Sequence, residues 1–185
     1  MRILGISGSL RQGSYNTALL RAAQELMPDG ATLAEGSIAD IPLYNGDEEA
    51  ASGIPAAVET LKDQIAKADG LLLFTPEYNN SIPGVFKNAI DWTSRPAKDI
   101  SRVFGGKPVA VLGASPGGFG TILSQDAWLS VLRTLGTRPW CEGRLMVARA
   151  GNVFDDQGRM TDDQMRDRLK RFLAGFSAFA AAQSD

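Results

Sequence analysis

No histidine occurs anywhere in the 185 residues, and Cys141 is the only cysteine. Those absences exclude histidine general bases, Ser-His-Asp triads, histidine metal sites, cysteine zinc clusters and any internal disulfide. Excess charge of either sign is missing too. With 19 basic residues against 21 acidic ones, interspersed and summing to -2, the chain offers no basic track for a phosphate backbone, so nucleic acid is not an expected partner. Long apolar runs are also lacking. The charge-poor stretch from Pro108 to Gln125 is broken by glycines, a proline and serines, so it reads as strand and loop and no membrane partner is expected. Met1 leads directly into an apolar run with no room for a signal peptide, and a cytoplasmic location is the expectation. No Pro/Gly/Ser linker divides the sequence, so residues 1–185 are expected to fold as one domain with a substantial core.

What is present starts with Arg2–Thr17, RILGISGSLRQGSYNT: an apolar run, a turn rich in glycine and hydroxyls with one arginine, then a helix start. A turn between a buried strand and a helix presents N–H groups at the positive end of the helix dipole, where a phosphate binds without a metal. Ser7, Ser9, Ser14, Asn16 and Thr17 can add side-chain donors, and Arg11 a charged fork. A nucleoside triphosphate loop requires lysine and a metal-holding hydroxyl after its second glycine. Gly8 and Gly13 have that loop's spacing, but Ser14 and Tyr15 follow. A dinucleotide loop requires G-x-G-x-x-G, which Gly5, Gly8 and Gly13 do not supply, although Glu35 could pass for its ribose ligand. A single terminal phosphate, as on a mononucleotide, uses every residue present. The bland alternative is a polar turn capped by Ser14.

Apolar runs near Arg2–Ser7, Thr32–Gly36, Gly70–Thr75, Pro108–Gly113 and Leu145–Ala148 read as strands alternating with helices. Runs such as LLLF and VAVL, without alternation, suit parallel strands covered on both faces. The expected fold is therefore α/β, a doubly wound five-stranded parallel sheet of order 2-1-3-4-5 with helices on both faces. The first helix carries Leu19, Leu20, Ala23, Leu26 and Met27 as one stripe, and the last is expected to open on a Thr161-x-x-Gln164 capping box. Ser81 and Pro83 look like helix-start signals, with Asn88 and Asp91 on a solvent or subunit face. The acidic stretch Asn45 to Gly53 reads as a solvated connection or a mobile cover.

In this topology, ligands sit at the carboxyl ends of the strands, so the turns Ser7–Thr17, Thr75–Pro83 and Gly113–Gly120 should line one crevice. Thr75–Trp92, TPEYNNSIPGVFKNAIDW, together with GSLRQGSYN, IPLYN at Ile41–Asn45 and GASPGGFG at Gly113–Gly120, resembles the NADPH-dependent FMN reductase family, including its quinone, chromate and azo-dye reductases. One departure is Asn80, where several relatives carry an aromatic residue. The resemblance implies a flavodoxin-like fold with bound FMN and NADPH or NADH as hydride donor. Acceptors would be small molecules: quinones, free flavin, azo compounds or chromate-like anions. It also implies ping-pong two-electron transfer and a homodimer or homotetramer. Ser9, Arg11, Ser14, Tyr15, Asn16 and Thr17 would hold the phosphate end. Pro76, Glu77, Tyr78 and Asn79 would border the ring, with backbone amides at its polar edge, and Ser115, Gly117 and Gly118 would approach it from the other side. No side chain is expected to be catalytic, since the cofactors carry the hydride. Glu77 is expected to fix its loop and not to supply protons. The rival is a non-enzymatic flavodoxin-type electron carrier, which would need a strongly acidic docking face and a threonine-rich loop without arginine.

Overall fold

The computed structural model describes residues 1–182. The segments read as strands form β1 (Arg2–Ser7), β2 (Thr32–Gly36), the leucine-rich β3 (Gly70–Phe74) and β4 (Pro108–Ala114), and β3 is buried at every position. All pair in parallel, in the order β2-β1-β3-β4, with β5 (Arg138–Pro139) and β6 (Met146–Val147) both on β4. Ile3 stands opposite Gly70, and Leu71 opposite Val109, so the strand ends fall level with one another. The flavodoxin-like order 2-1-3-4-5 is thereby present. Its fifth position corrects the expectation of one strand at Leu145–Ala148: two dipeptides share it, β5 beside Pro108 and Val109, β6 beside Gly113 and Ala114. Between them the chain leaves the sheet. Trp140 packs its indole on Phe172 and Phe176, against Gly143 and Gly175, where any side chain would collide with the ring.

Alternate strand residues face opposite layers, which gives two cores. On one side Ile3, Leu72, Phe74 and Leu112 meet α1 (Tyr15–Glu25) and α7 (Asp163–Ala181). On the other, Leu4, Ile6, Leu71, Leu73 and Val109 meet α3 (Ala56–Lys67), α4 (Gly84–Thr93), α5 (Ile100–Phe104) and α6 (Ile122–Thr134). Each such buried Leu, Ile or Phe side chain contributes about 1.5–3 kcal/mol relative to exposure.

Two local readings change. Asn45 to Gly53 is not an irregular connection: Gly46–Ser52 forms α2, capped by the Asn45 side chain on the Asp47 amide, with Asp47, Glu48 and Glu49 at the positive end of its dipole. Asp162, not Thr161, caps α7, accepting from the Met165 amide at 2.9 Å, while the Thr161 hydroxyl donates to Val153 O. The carboxylate one residue on offers charge to the dipole as well as a hydrogen bond.

Candidate functional site

The turn after β1 is shaped first by close packing. Gly8 donates to Phe74 O and lies against the Phe86 ring so closely that a methyl group there would overlap it, which ties the turn to β3. Ser14 then caps α1, accepting from the Asn16 and Thr17 amides. Ser9 Oγ accepts from the Arg11 amide, and the Ser7 and Thr17 hydroxyls share one bond of 2.9 Å. Ser9 and Ser14 act only as acceptors inside the protein, so both keep their O–H protons to donate. No acidic residue occupies the first turn of α1, in contrast to α2 with three. The dipole of an 11-residue helix is thus left uncompensated by the protein, beside the exposed Arg11.

The turn after β3 is a hairpin in miniature. Tyr78 and Ser81 exchange both backbone bonds around Asn79 and Asn80, whose φ values of 50° and 61° are left-handed. Asparagine is among the few non-glycine residues that tolerate that region, which gives a physical reason for the Asn79–Asn80 pair at this turn. The bond to Ser81 also removes the Tyr78 N–H from the donors expected at a ring edge. Pro76 has none, so Glu77 and Asn79 remain. Glu77 turns its carboxylate away, Oε2 accepting from the Leu123 and Ser124 amides at 2.8 and 3.0 Å at the start of α6.

The turn after β4 closes on itself through Ser115, whose hydroxyl donates to Gly120 O at 2.6 Å. The segment after β6 holds its outer side: Arg149 N donates to Gly117 O, and Ala150 N to Ser115 O. Around Gly118 a β-carbon would meet nothing within 4 Å, and at Gly117 only the Ser115 hydroxyl at 3.7 Å, so the space above this backbone is open.

These three turns meet in one crevice, lined by Ser9, Arg11, Ser14, Tyr15 and Asn16 from the first, Pro76, Glu77 and Tyr78 from the second, and Ala114, Ser115 and Pro116 from the third. Four expected residues are not on its wall. Thr17 faces a neighbouring polar cavity of about 230 Å³ that Arg11 and Ser9 also line, and Asn79, Gly117 and Gly118 are exposed at the rims. Asn16 lines the crevice but its amide is engaged elsewhere, in a reciprocal pair with Ala114 at 2.9 Å each way; it ties the first turn to the third and is not an open donor. Ala114 and Pro116 lie within the Gly113–Gly120 turn expected there but do not stand out, being apolar wall, and the supporting Arg149 acts through its backbone and carries no signal in the sequence. The enclosed part of the crevice is only about 60 Å³, a shallow seat open to solvent. A larger cavity, about 350 Å³ between α6 and the open edge at Trp140, shares no residue with it.

A flavodoxin-like sheet with an anion seat at the switch point and two loops facing it defines a mononucleotide-binding class of α/β protein. Comparison of the sequence with known families goes one step further. The sequence pattern of the NADPH-dependent FMN reductases matches residues 1–152, and the chain belongs to that family. It is 48% identical over 173 residues to an NAD(P)H-dependent FMN reductase of Pseudomonas aeruginosa, covering 94% of this chain and 91% of that one. A 2-hydroxy-1,4-benzoquinone reductase of a Burkholderia species is 36% identical over 179 residues, covering 97% and 96%. The solved structure of FerB, a flavoenzyme NAD(P)H:(acceptor) oxidoreductase from Paracoccus denitrificans, superposes with a TM-score of 0.87 at 34% identity over 98% and 97% of the two chains.

Proposed function

We propose that this chain, as one domain, is an FMN-dependent NAD(P)H oxidoreductase that passes two electrons to a small acceptor, with quinones first among free flavin, azo compounds and chromate-like anions. The observation that carries this reading is the uncompensated N-terminus of α1 beside Arg11, opening onto the same crevice as Pro76–Tyr78 and Ser115–Pro116. A phosphate monoester fits that donor set: two hydroxyl protons, one guanidinium and a helix end, with no carboxylate in the first turn to repel it. The chemistry that bound FMN would supply is acceptance of a hydride from the nicotinamide and two-electron donation to the acceptor. The open space over Gly117 and Gly118 is where its ring would be seated, with the Glu77 amide and the glycine backbone as donors to its polar edge.

The protein's own part is seating and exclusion. A shallow crevice with one open face admits one planar substrate at a time, which supports ping-pong turnover. The named activities of the Pseudomonas and Burkholderia relatives support the donor and the quinone acceptor respectively. A cytoplasmic location and a homodimer or homotetramer belong to the same proposal. Among the described residues no helix is long and apolar enough to cross a membrane. The net charge of -2 does not provide the acidic face that an electron carrier would use to dock its partners.

Anaerobic stopped-flow mixing of the FMN-loaded protein with NADPH, and separately NADH, is the test. Direct bleaching is expected, and its absence with both donors would overturn the reductase reading. In the same instrument Glu77→Gln should reduce within about tenfold of the parent rate, far from the loss of up to about 10⁴ that an essential acid would give. Its carboxylate already serves the α6 amides.

A further inference from the structure

The flavin seat proposed above has two walls that come from different strands, and a buried hydroxyl connects them. Thr75, Ser124 and Trp128 are all fully buried at the junction of β3 and α6. Thr75 Oγ1 donates its one proton to Pro76 O at 2.9 Å. The remaining contacts are therefore received: Trp128 Nε1 donates to it at 3.0 Å and Ser124 Oγ at 2.8 Å. Two residues further along, Glu77 takes the amides of Leu123 and of the same Ser124. The backbones approach closely beneath this network, since a methyl group at Gly113 would collide with the Thr75 carbonyl and the Thr121 hydroxyl.

The geometry fixes one donor. In a planar trans peptide the C=O and N–H point in opposite directions. With Pro76 O drawn inward to the Thr75 hydroxyl, the Glu77 N–H of the same peptide unit must face outward, and Pro76 and Glu77 both line the crevice. The Tyr78 N–H is committed to Ser81, so the Glu77 N–H is the amide this wall offers at that point.

We propose that Thr75, supported by Ser124 and Trp128, is a positioning residue for electron transfer: its hydroxyl sets the Pro76–Glu77 peptide plane so that the Glu77 amide donates to the polar edge of the bound flavin. This rests on the flavin reading of the crevice. None of the three side chains touches the cofactor seat itself, and none resembles a functional residue in sequence. A donor at that edge stabilises the electron-rich reduced form more than the oxidised one, so the arrangement raises the potential of the bound flavin as well as its affinity.

The experiment compares Thr75→Val, which keeps the shape and loses the hydroxyl, with Thr75→Ser, which keeps the hydroxyl, and with Trp128→Phe, which removes only the indole donor. Parent and variants are titrated with FMN and with riboflavin, and the midpoint potential of the bound flavin is measured. In Thr75→Val, affinity for both ligands should fall by the same factor, about tenfold, because the phosphate end is untouched, and the potential should move negative. Thr75→Ser should restore both readings, and Trp128→Phe should shift both in the same sense by less. Thr75→Ser and Trp128→Phe carry the test should Thr75→Val not fold. Variants that melt at lower temperature but keep the parent affinity and potential would overturn the positioning role alone. Failure of the parent to take up either flavin would overturn the flavin reading, and this inference with it.

Discussion

At the scale of single residues, Arg11 and Asn16 lie five positions apart in one turn and divide the work between them. Asn16 is 3% exposed and bonded on both sides of its amide to Ala114, so it holds two loops together. Arg11 is exposed beside the capped end of α1, whose first turn carries no acidic residue. Its guanidinium is therefore the group expected to bond the cofactor phosphate, and Arg11→Ala should weaken FMN binding by about ten- to a hundredfold while changing riboflavin binding little. Equal losses for the two ligands would remove the assignment. From the sequence, Arg11 and Asn16 looked alike, as polar residues around a helix start. Which of them was spent on the protein itself depended on Ala114, 98 residues away, and no local pattern records such a pairing. The role of Asn88 was hidden for the same reason: through exposed bonds it clasps Pro42 O and the Tyr44 amide, holding the IPLYN segment against α4.

At the scale of elements, legibility followed burial. β1 has the expected limits because its apolar run stops where the core stops, and β2, only partly buried, was legible from its place between two helices. α2 was invisible because it buries nothing: its evidence is a cap and three acids, which a sequence also uses in loops. Its place in the structure comes from Glu49, whose Oε2 accepts from Arg95 Nε at 2.8 Å and from the Tyr44 hydroxyl at 3.0 Å. The bond from Arg95 chiefly, opposed by desolvation, holds the Glu49 carboxyl below its ordinary range. Because the folded value is depressed, the clasp contributes its full stabilisation above the ordinary glutamate value of about 4.3, and loses it as pH falls through the lower folded value. Amide protection across Gly46–Ser52, measured against the intrinsic exchange rate at each pH, should fall in that acid window before the buried sheet responds. Glu49→Gln should abolish the pH step; an identical acid profile in that variant would show that the step belongs to another group.

At the scale of the whole molecule, the sheet order and the meeting of three turns could be read in advance because parallel βαβ units admit few arrangements. The split fifth position could not, since it depends on where Trp140 finds room between Gly143 and Gly175. The extent of the seat was also not legible. The set of apolar residues on α4 looked larger than one core needs, yet Phe86, Ile90 and Trp92 are all consumed inside the chain. What remains outside is Val85 at 40% exposure, with Leu43 at 83% and Tyr44 at 41% on the IPLYN segment that α4 holds. A crevice enclosing only about 60 Å³ cannot bury a flavin ring and a second substrate by itself.

An apolar patch on the helix that follows the ring-facing turn is suited to a second copy of the chain, which would shield the ring from water on its open side. Val85→Arg places a charge at the centre of that patch without touching the core or the crevice. It should convert the assembled protein to monomer in light scattering, with FMN retained less tightly and turnover reduced at dilute assay concentrations. A parent protein that is monomeric and fully active at those concentrations would reject assembly as part of the function. A Val85→Arg protein that stays assembled would instead move the interface to another face of the molecule.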